Sequence, residues 1–304
     1  MNLSDMHKRL GLLLTVLFLV SGNVALAQTG LSFLKIGPSA REQALANAGV
    51  ASASDASANY YNPALLTSGT GSSLLFSQNF WLIDSYSSYA AVQFNGEKSA
   101  FGIALNWFSV QDIPVRTRPT TEPDGFFNAQ SAALGLSYAH RLSSILTLAI
   151  TGKLLYEKIF IDDAMGFAGD ISAAVRPMGE KLTIGASVQN IGSMGKLMEE
   201  STKLPTTLRL GAAYTIPFPS LQSDLLLEGG LTTIFSDYSI FSLGAEFGFQ
   251  KFLWGRLGMA FGNDSRGISA GIGLKYNKFK FDYAFIPFSN ELGSANVLTL
   301  QFLY

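Results

Sequence analysis

From about residue 72 to the C-terminus the chain repeats one pattern, stretches of roughly ten residues in which apolar and polar side chains alternate. In 240–250, Phe241, Leu243, Ala245, Phe247 and Phe249 share one face, and Ser242, Gly244, Glu246, Gly248 and Gln250 share the other. Segments 101–108, 206–215 and 267–276 read the same way. Period-two alternation this rich in aromatics is a strand signal, and it leaves little room for a helical fold. About 14 such segments can be placed. The links between them alternate. Short ones are Asn95-Gly96, Ser143-Ser144, Pro177 to Glu180, Pro217 to Ser223, Gln250-Lys251 and Asn277-Lys278. Longer or more polar ones are Val110 to Phe126, Glu157 to Met165, Asn190 to Pro205, Ile234 to Tyr238, Asn263 to Arg266 and Pro287 to Gly293. This rhythm predicts an all-β fold, a transmembrane antiparallel β-barrel closed by its last strand, Val297 to Tyr304, against its first.

The composition agrees. Only 14% of the 304 residues are charged, against about 25% in soluble domains, and 48% are apolar. A barrel whose outer wall meets lipid needs few charges. Cysteine is absent, which excludes disulfides, thiol nucleophiles and cysteine-based metal sites. The two histidines, His7 and His140, provide no metal pair. A net charge of -1 gives no basis for nucleic-acid binding. No Gly-x-Ser-x-Gly elbow occurs, and Gly195-Lys196-Leu197 lacks the spacing of a P-loop. The sequence therefore predicts no catalytic residues, no metal and no cofactor.

Residues 1–27 read as an export signal rather than an N-terminal anchor. His7, Lys8 and Arg9 form a basic start, Leu10 to Val20 an apolar core too short to span a bilayer, and Ala25-Leu26-Ala27 an A-x-A cleavage site. Sec-type export would deliver the mature chain, from Gln28, to the bacterial outer membrane. Residues 28–70 then form a plug segment and 71–304 the barrel.

The plug segment lacks the alternating pattern. Leu31 to Ile36 reads as a short strand or lid edge. Pro38 and Ser39 can start a helix over Ala40 to Ala48, with Gly49 as its stop. Asn62-Pro63-Ala64 is a turn. Three stretches here, Phe33-Leu34-Lys35-Ile36-Gly37, Ala40-Arg41, and Asp55 to Leu66 (D-A-S-A-N-Y-Y-N-P-A-L-L), resemble the N-terminal signature of the PorV/PorQ family. These are outer-membrane barrels of the FadL-like superfamily associated with type IX secretion. The departures are L-A-N-A-G at 45–49, where the family has a Met-Gly-Gly-type stretch, and Tyr61, where it tends to have Trp. The resemblance implies that Phe33, Lys35, Gly37, Arg41, Asp55, Asn59, Tyr61, Asn62, Pro63 and Ala64 are motif residues. It also implies a non-enzymatic role in type IX protein secretion or surface attachment of cargo, with outer-membrane lipid, secretion components and secreted cargo as partners. The alternative is a FadL-like channel taking up a hydrophobic ligand past a movable plug.

The alternation also points charges into the lumen: Lys153, Asp170, Arg209, Glu228, Glu246, Arg256, Lys275 and Asp282. They form either a charged pathway or a ladder of ion pairs that fills the barrel and holds the plug. Mixed signs fit the ladder, because buried charges need partners. Arg41 is expected to meet Asp170, Glu228 or Glu246. Asp55 caps a loop or touches a ligand. His140 falls on the outward face, so a serine–histidine hydrolase is disfavoured.

Overall fold

The computed structural model describes residues 30–304 apart from 70, 83, 120, 198, 199, 236, 263 and 264. The expected export signal, 1–27, lies outside the described residues, as do Met198 and Glu199 of the link to Pro205.

Fourteen antiparallel strands close into a barrel. They are β1 Ser73–Phe80, β2 Ser85–Asn95, β3 Ser99–Val115, β4 Gly125–Arg141, β5 Leu146–Ile159, β6 Asp162–Val175, β7 Leu182–Met194, β8 Thr207–Phe218, β9 Ser223–Ile234, β10 Ser239–Phe249, β11 Leu253–Phe261, β12 Ile268–Tyr276, β13 Phe279–Pro287 and β14 Ser294–Leu303. Each pairs with its neighbours in sequence. β1 pairs with β14 in unbroken register from Ser73↔Leu303 to Phe80↔Asn296. Closure removes the unpaired edges that an apolar sheet of this size would otherwise expose.

The outward residues follow the predicted parity. Phe101, Ile103, Leu105 and Trp107 of β3 are exposed, whereas Ala100, Gly102 and Asn106 face in and are buried. Among the described residues no helix is long and apolar enough to cross a membrane. Spanning needs about 9–11 residues per strand. β3 and β4 have 17 each. The surplus of about six residues raises their hairpin on the order of 15 Å above the wall at ordinary strand rise and tilt.

Three links are shorter than expected by several residues: Val110 to Phe126 narrows to 116–124, Asn190 to Pro205 begins only after Met194, and Glu157 to Met165 shrinks most in proportion. Glu157 to Met165 is not a long loop, because β5 runs to Ile159 and β6 starts at Asp162. The polar residues that suggested a loop, Lys158 and Asp163, face each other across the ladder. Opposite charges at directly paired positions favour strand pairing. The remaining turn is Phe160-Ile161, with Phe160 at φ 58°.

The plug threads the lumen from one end to the other. Gly30 N–H donates to the Lys203 carbonyl in the long-loop end. Ser32–Lys35 is a 3-10 turn, not a strand. The helix that follows is only Ala40–Ala44, shorter than the predicted Ala40 to Ala48. Asn47 N–H bonds back to the Glu42 carbonyl at 2.7 Å, and Ala46 and Asn47 adopt left-handed φ of 54° and 65°. That reversal caps the helix before Gly49. A second short helix, Ala58–Tyr61, leads into a 3-10 turn, Pro63–Ser68, at the short-turn end.

Candidate functional site

The candidate site is the interface between plug and barrel wall. Its first component is shape. Inward positions that meet the plug backbone are small. A Cβ on Gly258 would collide with Ala46 N and with Ala44 O, the latter at 2.6 Å, and one on Gly185 with the Val50 carbonyl. Glycine is required there for close approach. Ala284, Ala295 and Val297 bury Ala40 and Ala44. Ala100, Ala139, Ala149 and Ala174 bury Ala64, Leu65 and Leu66 at the short-turn end.

Its second component is a set of wall hydroxyls that satisfy irregular plug backbone. Ala40 N–H donates to Thr299 Oγ1 at 2.9 Å, Ala56 N–H to Ser73 Oγ at 3.0 Å and Ala46 N–H to Ser269 Oγ at 3.2 Å. In return, Ser77 donates to the Pro38 carbonyl at 2.6 Å and Ser242 to the Ala46 carbonyl at 2.7 Å. Backbone buried without such partners would be costly.

Charge is the third. Arg41 makes a bidentate contact with Glu246: Nε donates to Oε2 at 3.0 Å and Nη2 to Oε1 at 2.9 Å. It also reaches Glu42 Oε1 at 3.0 Å and the Ser52 carbonyl at 3.3 Å. Glu246 in turn pairs with Arg256, which pairs with Asp282 at 2.7 Å, and Lys280 approaches Asp282 at 3.7 Å. Of the three carboxylates expected near Arg41, Glu246 holds it. Asp170 pairs instead with Lys153 at 2.8 Å, and Lys153 also donates to Asn190. Glu228 is buried, with neither carboxylate oxygen hydrogen-bonded among the described residues.

Arg209 joins a different group. Nε donates to Gln189 Oε1 at 3.0 Å, Nη2 reaches Tyr60 Oη at 3.2 Å, and the guanidinium lies over the Tyr60 and Tyr61 rings. Lys275 does not enter the lumen network. It has lumen-side parity, but it lies at the short-turn end, is exposed, and makes no ion pair among the described residues. The strand there outruns the filled part of the lumen. Lys280, two residues from Asp282 on the same face, takes the cationic place that the sequence reading gave to Lys275.

The motif residues have distinct places. Phe33 is buried among Leu31, Leu34, Leu155, Met194 and Leu204 and stacks on Phe108. Lys35 pairs with Asp237 at 3.0 Å. Gly37 lies against Asn47 and the Tyr61 hydroxyl, where a Cβ would clash. Asp55 Oδ1 accepts from Ser57 N–H at 2.8 Å and so caps the loop that leads into Ala58. Asn59 Nδ2 donates to the Ala56 and Val92 carbonyls. Tyr61 donates to Asn47 Oδ1 at 2.8 Å. Asn62 is the busiest: Nδ2 donates to Val50 O and Ala173 O, and Oδ1 caps Ala64 N–H after Pro63.

Sequence reasoning missed Glu42, Gln43, Gln189 and Arg266. Glu42 is buried and takes hydrogen bonds from Ser39, Arg41 and Ser57. Its signal was the Ser39-x-x-Glu42 spacing of a capping box. Arg266 donates to the Gln43 carbonyl at 3.1 Å from a link that carried no lumen pattern. His140 stays on the outer wall, its Nδ1 2.8 Å from Ser99 Oγ.

The cavities found against the plug among the described residues are small. A cavity touching Leu34, Asn59, Tyr60 and Tyr89 measures about 30 Å³, and a second beside Lys35, Arg209 and Arg266 also measures about 30 Å³. Each has the volume of about one water molecule. Among the described residues no cluster of His, Cys, Asp and Glu is arranged to hold a metal.

The model of a family described as type IX secretion system protein PorV matches residues 21–222. Among solved structures, the CymD monoaromatic hydrocarbon channel is similar with a TM-score of 0.63 at 12% identity, over 91% of this chain and 99% of that one. The toluene transporter TodX of Pseudomonas putida is similar with a TM-score of 0.56 at 10% identity, over 84% of this chain and 95% of that one. At such identities the likeness is one of fold. No curated protein matches the chain.

Proposed function

The chain belongs to the PorV family of type IX secretion system proteins and resides in the bacterial outer membrane, and from that premise we propose that it is a non-enzymatic barrel acting in type IX secretion or surface attachment of cargo. The observation that carries this reading is the filled lumen. The two cavities against the plug are about 30 Å³ each, whereas sites for organic ligands run to roughly 300–1,000 Å³. A barrel sealed by alanine contacts, hydroxyl-to-backbone bonds and ion pairs works through its outer surfaces. The raised β3–β4 hairpin and its link, residues 116–124, provide such a surface, with Arg116 and Arg118 on the link and Phe126 63% exposed at its base. Export through the signal at 1–27 is part of this proposal.

The second reading is uptake of hydrophobic molecules. The likeness of fold to hydrocarbon channels and the apolar cluster around Phe33 favour it, but that cluster is occupied by the plug's own side chains. One experiment separates the two: affinity purification of the tagged protein from detergent-solubilised outer membrane, with proteins and small molecules both identified. Secreted proteins and membrane components of the secretion apparatus are expected, and they should be lost when residues 117–123 are replaced by a short Gly-Ser link. Recovery of a bound hydrophobic ligand and no protein partner would reverse the ranking.

A further inference from the structure

The outer wall of the barrel is not convex all round. A groove of about 660 Å³ runs across β12, β13, β14, β1, β2 and β3. Six adjacent strands can line one external concavity only where the wall bends inward. On the inner face of this sector Ser77, Ser73 and Thr299 hydrogen-bond directly to the plug backbone, Ala284 and Ala295 pack on Ala40 and Ala44, and Leu75 and Tyr89 pack on Ala56. The groove therefore backs onto wall that grips the plug.

The groove has apolar sides and a polar spot. Leu105 and Trp107 flank it on one side, Ile272 and Leu274 on the other. Between them Gln78, Ser88 and Ala90 line its floor together with Phe76, Phe281, Leu298 and Leu300. Ser88 Oγ donates to Gln78 Oε1 at 2.6 Å. Among the described residues nothing accepts a hydrogen bond from Gln78 Nε2. A carboxamide N–H turned toward hydrocarbon is costly unless an acceptor meets it. Position along the strands sets its depth. Gln78 lies two residues from Phe80, where β1 ends at the long-loop side, and Ser88 three residues from Ser85, where β2 begins there. The Gln78–Ser88 pair is two pairs below the Phe80–Tyr86 contact, so the polar spot belongs to the outer leaflet.

We propose that this groove is a specific site for an outer-leaflet glycolipid, which lays acyl chains along Leu105, Ile272 and Leu298 and presents an ester or amide carbonyl to Gln78 Nε2. The volume is that of a ligand pocket, which typically measures about 300–1,000 Å³. Asp282, the one charged lining residue, faces the lumen, where Arg256 neutralises it. A second copy of the chain cannot fill the site with the same face, because a two-fold contact must be self-complementary and two hollows are not. This proposal does not depend on the secretion reading.

The test is native mass spectrometry of the full-length mature protein in mild detergent, with monophosphoryl lipid A as added probe. The wild type should retain one glycolipid. Ala90→Phe with Ser88→Phe, which fills the floor from the lipid side, should lower retention at least tenfold. Gln78→Leu should lower it about fivefold, the worth of one hydrogen bond. Ala212→Phe, on the opposite wall, should leave it unchanged, and heat-modifiable migration on gels confirms that each variant is folded. Equal retention by the filled variant and the wild type overturns the proposal. So does retention of phosphatidylethanolamine in place of lipid A, or loss of a co-purifying protein from the filled variant while its lipid is kept.

Discussion

Glu246→Ala removes the residue that ties plug to wall. Glu246 holds Arg41 of the plug and Arg256 of the wall at once, and all three side chains are at least nine-tenths buried. Losing one partner of a buried pair costs about 3–5 kcal/mol. The lower end applies here, because neither cation is fully orphaned: Arg41 keeps Glu42 and the Ser52 carbonyl, and Arg256 keeps Asp282. The barrel retains every ladder hydrogen bond, so the loss falls on plug docking. About 3 kcal/mol corresponds to roughly a 100-fold rise in the undocked population. The chain has no cysteine, so a single Ala53→Cys reports on this cleanly. Ala53 is fully buried beside Tyr61 and Leu65. When reclosing is fast, its rate of labelling by a membrane-impermeant maleimide follows the opening equilibrium. Labelling of Glu246→Ala should be about 100-fold faster than in the parent. Arg41→Met combined with Glu246→Ala should cost less than the sum of the two, because they share one contact. A rate within threefold of the parent, or strict additivity, would refute the claim that this ion pair holds the plug.

Three further outcomes are expected. Gly258→Val places side-chain atoms where Ala44 O and Ala46 N lie, so it should raise the same labelling rate while the barrel still shows heat-modifiable migration on gels. Truncation before Ser294 removes the strand that closes β1 to β13, and no folded barrel should be recovered in detergent. In the outer link, Thr117 N–H and Oγ1 donate to Asp124 and hold its carboxyl below the usual aspartate value. A lowered folded pKa means that the contact is complete above about pH 4 and is lost as pH falls through the folded value. The fluorescence of a probe on the link should therefore be flat from pH 5 to 8 and change only in stronger acid, and Asp124→Asn should remove that change.

The barrel was legible because it rests on a rule of parity. Phe241 to Phe249 alternate in the sequence, and they alternate between lipid and lumen in the structure. The same rule turned Arg209, Glu228, Glu246, Arg256 and Asp282 inward, and the structure buries all five. It has no information on how far a lumen extends, so it could not separate Lys275, beyond the filled region, from Lys280, inside it. It also favoured a loop at Glu157 to Met165, because charge density was read along the chain and not across the Lys158↔Asp163 pair. The plug was legible only locally. Asn62-Pro63-Ala64 carries its own cap and turn, and Asp55 its own loop cap. The helix from Ala40 was overestimated, because alanine-rich propensity favours continuation, whereas Asn47 takes the left-handed capping position and is held there by Tyr61 and, through Ala46, by Ser269 and Ser242 of the wall. Arg266 was invisible for the same reason: its partner, the Gln43 carbonyl, is 223 residues away in sequence.

The inner and outer faces of one wall sector are therefore linked. Serines, threonines and alanines at inward positions of β1, β13 and β14 bring backbone to backbone on the plug side. A sheet of fixed thickness cannot approach the plug without retreating from the lipid, so the same residues set the depth of the external groove. Lumen packing and the lipid-facing surface are then two readouts of one curvature. A ligand that fits the hollow outside favours the wall position that grips the plug inside, and a docked plug favours the hollow. By reciprocity the two effects must be equal in free energy. The sector opposite, around Ala212 and Tyr214, also touches the plug through Gly211 and Ala213 but lines no part of this groove, so substitutions on its outer face separate coupling through the groove from wall contact alone.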